Sequence, residues 1–241
     1  MNVVLFQKNE IDKPLSRRDN RAKHILKVLR LSPGEKFKMG IVGSNMGTAT
    51  LTGVSEKEIS FTVELGAMPE SLYPLTLIAG FVRPNSVKRI LRDATSLGVE
   101  RIIWTPTELT EKSYRNSHIW DPSYQEPLLL EGAIQAYSSL IPEIIICESF
   151  EEAMNYGTFD KSIALDHIRA DRSLSSLVAA RELQDKKVRL AIGSERGWTE
   201  NERKRLTEEG FLRASMGTRV LRTDTAFMGG IAMTLAGMDK L

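Results

Sequence analysis

Cysteine is almost missing from this chain, which has one, Cys147, in 241 residues. An internal disulfide is therefore excluded, and such sparing use suits a reducing compartment. The isoleucines just before it, Ile144-Ile145-Ile146, point to a buried, inert thiol. Histidine is scarce too. His24, His118 and His167 stand far apart, with no paired cysteines and no His-Glu-x-x-His spacing, so no metal is expected. No apolar run approaches the roughly 20 residues that cross a bilayer. The first residues, Met1-Asn2-Val3-Val4-Leu5-Phe6-Gln7, lack the charged region and cleavage site of a signal peptide. The expectation is a cytoplasmic protein with no membrane partner. A Gly-x-Gly-x-x-Gly after a strand, a Walker loop and a Gly-x-Ser-x-Gly elbow are all missing. That disfavours a standard dinucleotide fold, nucleotide triphosphate hydrolysis and elbow-type hydrolysis.

What is present is an ordinary globular composition, 41% hydrophobic and 27% charged, with a net charge of +2. The charge is unevenly spread. Between Lys13 and Lys38 nine basic residues face two acids, Asp19 and Glu35. Within that stretch Arg17, Arg18, Arg21, Lys23, Lys27 and Arg30 are candidates for binding a polyanion such as nucleic acid. A solvated helix face accounts for the charge alone equally well.

In chain order, Ser16 is a candidate cap for a helix with apolar positions Ala22, Ile25, Leu26 and Leu29. Phe37, Met39 and Ile41 alternate, Gly43–Gly47 reads as a hairpin loop, and Ile59, Phe61, Val63 and Leu65 alternate again. Residues 1–70 thus read as a small, mainly antiparallel β unit, with a linker over Met68–Pro74. Over 71–241 the rhythm becomes α/β. Strands are expected at Leu75–Val82, Arg101–Trp104, Glu143–Cys147, Ser162–Asp166 and Val188–Ile192, with a helix at Leu128–Leu140. Gly98 is placed as a helix C-cap, and Ser149-Phe150-Glu151-Glu152 and Thr199-Glu200-Asn201-Glu202 have capping-box form. The alternation predicts a parallel sheet covered on both faces.

The most unusual stretch is the last fifty or so residues. Val188–Ile192 runs into Gly193-Ser194-Glu195-Arg196-Gly197-Trp198. Phe211–Ala214 runs into Ser215-Met216-Gly217-Thr218-Arg219-Val220-Leu221-Arg222. Strand, glycine loop and helix, twice over, is how α/β proteins build ligand sites, although two ordinary strand-to-helix turns give the same spacing. Gly229-Gly230 inside the last apolar helix calls for close packing, since glycine costs about 1 kcal/mol in a helix interior.

Five blocks together resemble the RsmE family of SPOUT-class RNA methyltransferases. They are His24-Ile25-Leu26-Lys27-Val28-Leu29-Arg30-Leu31 with Gly34, Ala94-Thr95-Ser96-Leu97-Gly98-Val99, Pro106-Thr107-Glu108-Leu109-Thr110-Glu111-Lys112-Ser113, the Gly193–Trp198 loop, and Met216–Ala226. The resemblance implies an α/β protein with two parts. One is an N-terminal PUA-like small β-barrel that binds RNA. The other is a C-terminal SPOUT domain with a parallel sheet and a trefoil knot, assembled as a homodimer. It further implies S-adenosylmethionine as cofactor, held by Leu165, Ile192, Gly193, Glu195, Gly197, Met216, Gly217, Val220, Leu221 and Arg222, with Thr225 and Ala226 opening the last helix. The family's usual Gly-Pro-Glu-Gly-Gly reads here Gly193-Ser194-Glu195-Arg196-Gly197, and a family arginine after Glu111 is Lys112. Arg196 then needs an unstrained backbone where glycine is usual.

The implied reaction is methylation of N3 of a uridine in small-subunit ribosomal RNA, free or within the small ribosomal subunit. N3 carries a proton at neutral pH, so the developing uracil anion needs stabilisation. Arg222 is the first candidate, and Arg83 and Lys88 are the next. Two alternatives stand beside this reading. One is a SPOUT enzyme acting on another RNA position or a ribose 2′-hydroxyl; the other is a non-catalytic RNA-binding homologue.

Overall fold

The computed structural model describes residues 3–241 and divides them into two compact units. The first takes the chain up to Ser71 together with Ala133–Ile141; the second is Leu72–Gly132 and Pro142–Leu241.

The first unit is a five-stranded sheet in the order β1 (Val3–Phe6), β3 (Lys36–Ile41), β4 (Met46–Val54), β5 (Glu58–Leu65), β2 (Leu15–Ser16). β1 pairs parallel to β3, and the other pairings are antiparallel. The alternation of Phe37 and Met39 places both in a core with Phe6, Ile25, Leu51 and Ile59. β1 escapes a search for alternation because all four of its residues are buried. The basic helix starts later than Ser16. Asp19 caps it, accepting the Arg21 N–H, and α1 spans Asn20–Lys23. The chain then widens into a π-helix over His24–Val28, and the left-handed Arg30 (φ 56°) ends the turn.

The second unit is a seven-stranded, wholly parallel sheet. Its strands are β6 (Tyr73–Gly80), β7 (Val99–Thr105), β8 (Glu143–Ile146), β9 (Lys161–Leu165), β10 (Arg172–Ser173), β11 (Val188–Ile192) and β12 (Leu212–Ser215). Their spatial order is β10-β12-β9-β11-β6-β7-β8, so β11 and β12 each slot between strands laid down earlier. The helices are α2 (Pro84–Ser96), α3 (Lys112–Arg115), α4 (Pro122–Gln135), α5 (Phe150–Met154), α6 (Leu174–Ala179), α7 (Glu200–Glu208) and α8 (Thr223–Gly237). A short 3₁₀ turn covers His118–Trp120.

Successive strand residues face opposite sides of a sheet, and β11 shows both. Ala191 joins Trp198, Leu206, Phe150 and Met154 on the α5/α7 side. Leu190 and Ile192 face α8, where a Cβ on Gly230 would meet Leu165 Cδ1 at 2.6 Å and both of these side chains at 3.5 Å. The close packing expected of Gly229-Gly230 thus rests on Gly230 and is made against side chains. Gly98 closes α2 in the left-handed region (φ 79°), as a C-cap glycine should. Two expectations are corrected. α4 ends at Gln135, before a left-handed Tyr137 (φ 57°), and does not reach Leu140. At Ser149 only half a capping box forms, because Glu152 accepts the N–H of Glu148 in place of that of Ser149.

Candidate functional site

A cleft opens where β9, β11 and β12 end, beside the point at which the strand order reverses. That is where parallel sheets place ligands. Its enclosed part holds about 100 Å³, less than the roughly 300–1,000 Å³ usual for small-molecule sites, and the rest of the cleft is open to solvent. Its walls are Leu165-Asp166-His167, the Ile192–Gly197 loop and the Ala214–Ala226 segment.

The Ile192–Gly197 loop is a tight turn. The Gly197 N–H donates to the Ser194 carbonyl at 2.9 Å. Gly197 takes the left-handed angle (φ 72°), and Arg196 is not among the positive-φ residues. Arg196 therefore sits where glycine is usual without strain. Gly193 is hemmed in, since a Cβ there would lie 3.1 Å from the Gly197 carbonyl oxygen. From beneath, Gly80 at the end of β6 supports the loop, and a Cβ on Gly80 would lie 2.7 Å from Ser194 N. Ser194 Oγ is buried in the wall and has no hydrogen-bond partner among the described residues. Gly217, in the second loop, needs φ 100°.

Three side chains behind the cleft hold its walls together. The Trp198 Nε1–H donates to the Leu165 carbonyl at 2.8 Å. Arg203 on α7 donates Nε–H to Asp166 Oδ2 at 2.6 Å, and both side chains are buried, 6% and 1% exposed. Burial alone would raise the Asp166 pKa. The Arg203 hydrogen bond and charge, with the Ile168 N–H, outweigh it and hold the carboxyl below its ordinary value. Glu202 completes a reciprocal capping box with Thr199 and also accepts the Glu108 N–H at 2.8 Å. Burial pushes its pKa up, and the backbone donors of Thr199 and Glu108 only partly offset that. The first turn of α7 thus fastens the end of β9 and the loop after β7.

A second chain of contacts leaves the cleft at Glu195, whose carboxylate accepts the Arg83 N–H at 2.8 Å. Arg83 caps the start of α2, held extended (φ −53°, ψ 139°) by Pro84. Its Nε–H donates to the Tyr114 hydroxyl at 3.1 Å.

Comparison with known proteins fits this geometry. A family model described as an RNA methyltransferase domain matches residues 68–235. A Treponema pallidum protein named ribosomal RNA small subunit methyltransferase E is 36% identical, over 98% of this chain and 91% of its own. The chain belongs to the ribosomal RNA small subunit methyltransferase E (RsmE) family. A Borreliella burgdorferi relative, ribosomal RNA small subunit methyltransferase E 1, is 31% identical over the full length of both chains. A Neisseria gonorrhoeae ribosomal RNA small subunit methyltransferase E, solved bound to S-adenosyl methionine, shares the fold with a TM-score of 0.76. It is 22% identical, over 99% of this chain and 98% of its own.

Most of the residues that the RsmE resemblance marks for the cofactor line the cleft, from Leu165 and Ile192 to Val220, Leu221 and Ala226; Arg222 and Thr225 do not. Asp166, His167, Ser194, Ala214, Arg219 and Thr223 line it as well. Of these, Asp166 was legible only as the last residue of the expected strand Ser162–Asp166, which in the structure ends one residue earlier at Leu165, and nothing in the local pattern marks its distant partner Arg203. The anion-stabilising candidates fall in different places. Arg222 projects into solvent, 86% exposed, with its Nε 3.7 Å from Asp224 Oδ1. Arg89 makes the tighter contact to Asp224, at 2.8 Å. Lys88 lies over the Tyr124 ring at 5.3 Å. Arg83 is the candidate tied to a cleft loop.

In the first unit Arg17, Arg18, Lys23, Lys27 and Arg30 are exposed. Arg21 is half-buried, bidentate to Glu10 and bonded to Asp19 and the Leu5 carbonyl. Those hydrogen bonds lower the Glu10 and Asp19 pKa values. Arg21 also stacks on Phe6, so its contacts are those of a brace.

Proposed function

We propose that the protein is an S-adenosylmethionine-dependent methyltransferase of small-subunit ribosomal RNA, acting on N3 of a uridine. The observation that carries this is the cleft at the ends of β9, β11 and β12, walled by the two glycine loops of an RsmE-family chain. The residues present fit such a cofactor. Leu165, Ile192, Met216, Leu221 and Ala226 give apolar walls, the Gly193–Gly197 and Met216–Gly217 backbone supplies amides and carbonyls, and the orphaned Ser194 hydroxyl is left for a ligand atom. Bound there, S-adenosylmethionine would supply an electrophilic methyl group. The chain's own task is to align the acceptor base. It must also stabilise the negative charge on the uracil as the N3 proton leaves to water and the N3–methyl bond forms at the expense of the methyl–sulfur bond. Arg83 is the best placed of the candidates, through its link to Glu195.

The finer parts of the reading belong to the same proposal. The curled sheet of the first unit and its exposed cations support a PUA-like RNA-binding domain over 1–70. The late insertion of β11 and β12, followed by α8 packing on α2 and α6, supports a knotted SPOUT domain over 71–241. A homodimer would cover the exposed Ile168 and Val220 near the cleft. Among the described residues no helix is long and apolar enough to cross a membrane; the cytoplasm is proposed as the place of action because the proposed substrate is ribosomal RNA.

Calorimetric titration with S-adenosylmethionine, followed by nucleoside analysis of treated small subunits and naked RNA, tests the proposal. The parent should bind and yield 3-methyluridine. Gly217→Val, which forces a β-branched residue into φ 100°, should lose at least about fivefold in affinity, as a strain of roughly 1–3 kcal/mol implies. A 2′-O-methylated or other product would shift the target. Failure of the parent to bind would favour a non-catalytic RNA-binding protein.

A further inference from the structure

Tyr114 belongs to none of the five family blocks, yet its hydroxyl accepts from Arg83, whose backbone is held by Glu195 of the Gly193–Trp198 loop. The path runs from the cleft outward. Glu195 lines the cleft and accepts the backbone N–H of Arg83 at 2.8 Å. Pro84 locks Arg83 in the extended conformation at the first turn of α2, so the side chain has one direction of departure. The guanidinium then gives its Nε–H to Tyr114 at 3.1 Å. Tyr114 is itself anchored, because the Trp120 indole N–H donates to its backbone carbonyl at 2.7 Å, and Trp120 packs on Phe81 and Trp104. Both ends of the Arg83–Tyr114 contact are therefore held at their backbones, one by the Glu195 carboxylate of the cleft loop and one by the Trp120 indole of an aromatic cluster.

The hydrogen-bond inventory gives this contact a direction. Nε is one of five guanidinium N–H donors. Its use on Tyr114 leaves the two terminal nitrogens, a planar fork suited to two oxygens or to one delocalised anion. The phenol accepts from Arg83, and its own O–H remains available as a donor. Arg83 is exposed and Tyr114 half-buried, so both can meet a base brought to the mouth of the cleft.

We propose that Tyr114 is a positioning residue of the methyl-transfer reaction: its hydroxyl holds the Arg83 guanidinium in the orientation that receives the uracil as it becomes anionic. The inference rests on the methyltransferase reading above. It also offers a local reason why this chain can carry Lys112 where the family arginine is usual, two residues before Tyr114. A tethered arginine from α2 presents the planar fork that a lysine lacks.

Tyr114→Phe removes one oxygen and keeps the ring. With the full-length protein and its small-subunit RNA substrate, kcat should fall at least about tenfold, the lower end of what one hydrogen bond to a charged group is worth. S-adenosylmethionine affinity should stay within about twofold, because no cleft-lining residue is altered. Arg83→Lys keeps the charge but has no Nε–H to give, and should show a similar drop. The decisive comparison is the double variant. If Tyr114 acts through Arg83, Arg83→Ala with Tyr114→Phe is no slower than Arg83→Ala alone. Parent-like kcat in Tyr114→Phe, or a double variant slowed by the product of the single effects, overturns the inference while leaving the methyltransferase reading intact. A parent that binds RNA but transfers no methyl group overturns both.

Discussion

Arg203→Ala is expected to destabilise the second unit by about 3–5 kcal/mol, the usual result of stranding one partner of a buried ion pair. The pair is unusually dry for so reactive a neighbourhood, with the Asp166 side chain 1% exposed at the cleft wall and Arg203 6% exposed behind it. The pH dependence identifies the cause. In the parent, Asp166 is held below its ordinary value of 3.8, so its contribution is present above that value and is lost as pH falls through the lower folded value. Without Arg203, burial acts with far less opposition and raises the Asp166 pKa above the unfolded value. The variant should then gain relative stability as this carboxyl is protonated. The stability gap should be widest near about pH 7 and narrow by about pH 4, as measured by urea unfolding at the two pH values. A gap that stays the same at both pH values would mean that Arg203 matters for its packing and not for the charge it neutralises. Asp166→Asn should lose less than Arg203→Ala, because the arginine keeps a neutral acceptor and the Glu200 carboxylate 3.0 Å away.

Gly80→Ala should be the most damaging single methyl group in the second unit for cofactor binding. The added Cβ would sit 2.7 Å from Ser194 N, 2.9 Å from the Gly193 carbonyl carbon and 3.0 Å from Thr107 Cγ2. Two of these atoms are backbone of the cofactor loop and cannot swing away as a side chain would. Overpacking of this kind costs about 1–3 kcal/mol. Relief requires the Gly193–Gly197 turn to lift, which takes the cleft wall with it. The expected result is at least about a fivefold loss of S-adenosylmethionine affinity, with a smaller fall in stability than in Arg203→Ala. Gly230→Ala is the control. Its Cβ would crowd Leu165 Cδ1 at 2.6 Å, the end of a flexible side chain, so its effect on binding should be milder. Equal affinity for Gly80→Ala and the parent would show that the loop adapts, and that its fixed position is not what binds the cofactor.

Features set by local pattern were readable from the chain. Val188–Ile192 is a strand with the expected bounds because it is apolar, short and closed by glycine. Thr199 and Glu202 form their reciprocal box because that motif needs only three residues' separation. Gly98 and Gly217 take positive φ where turns demand it. Features set by distant contacts were not readable. The Asp166–Arg203 pair, the Glu202 bond to Glu108 and the Arg83–Tyr114 contact join residues 37, 94 and 31 apart, and no periodicity encodes such meetings. α6 (Leu174–Ala179) and α3 (Lys112–Arg115) are too short to build a stripe. The shift at the basic helix has a local cause that competes with the pattern. Asp19 is a cap at least as good as Ser16 and lies next to the helix, and the π-helix breaks the 3.6-residue spacing that Leu29 was assumed to follow.

The order of the parallel sheet bears on how the protein comes to exist in a cell. β6, β7, β8 and β9 leave the ribosome before β11, yet β11 must take its place between β6 and β9, and β12 between β9 and β10. Until then a nascent chain holds unpaired strand edges on β6, on both sides of β9 and on β10, and β9 carries the buried Ile163 and Ala164. Open edges of this kind invite pairing with other chains, and closing long loops to form parallel pairs is slow. Two of the cleft's three walls are among the last parts of this unit to be synthesised. Half-made chains therefore lack this cleft, and their exposure to misassembly lasts until β12 has been made and placed.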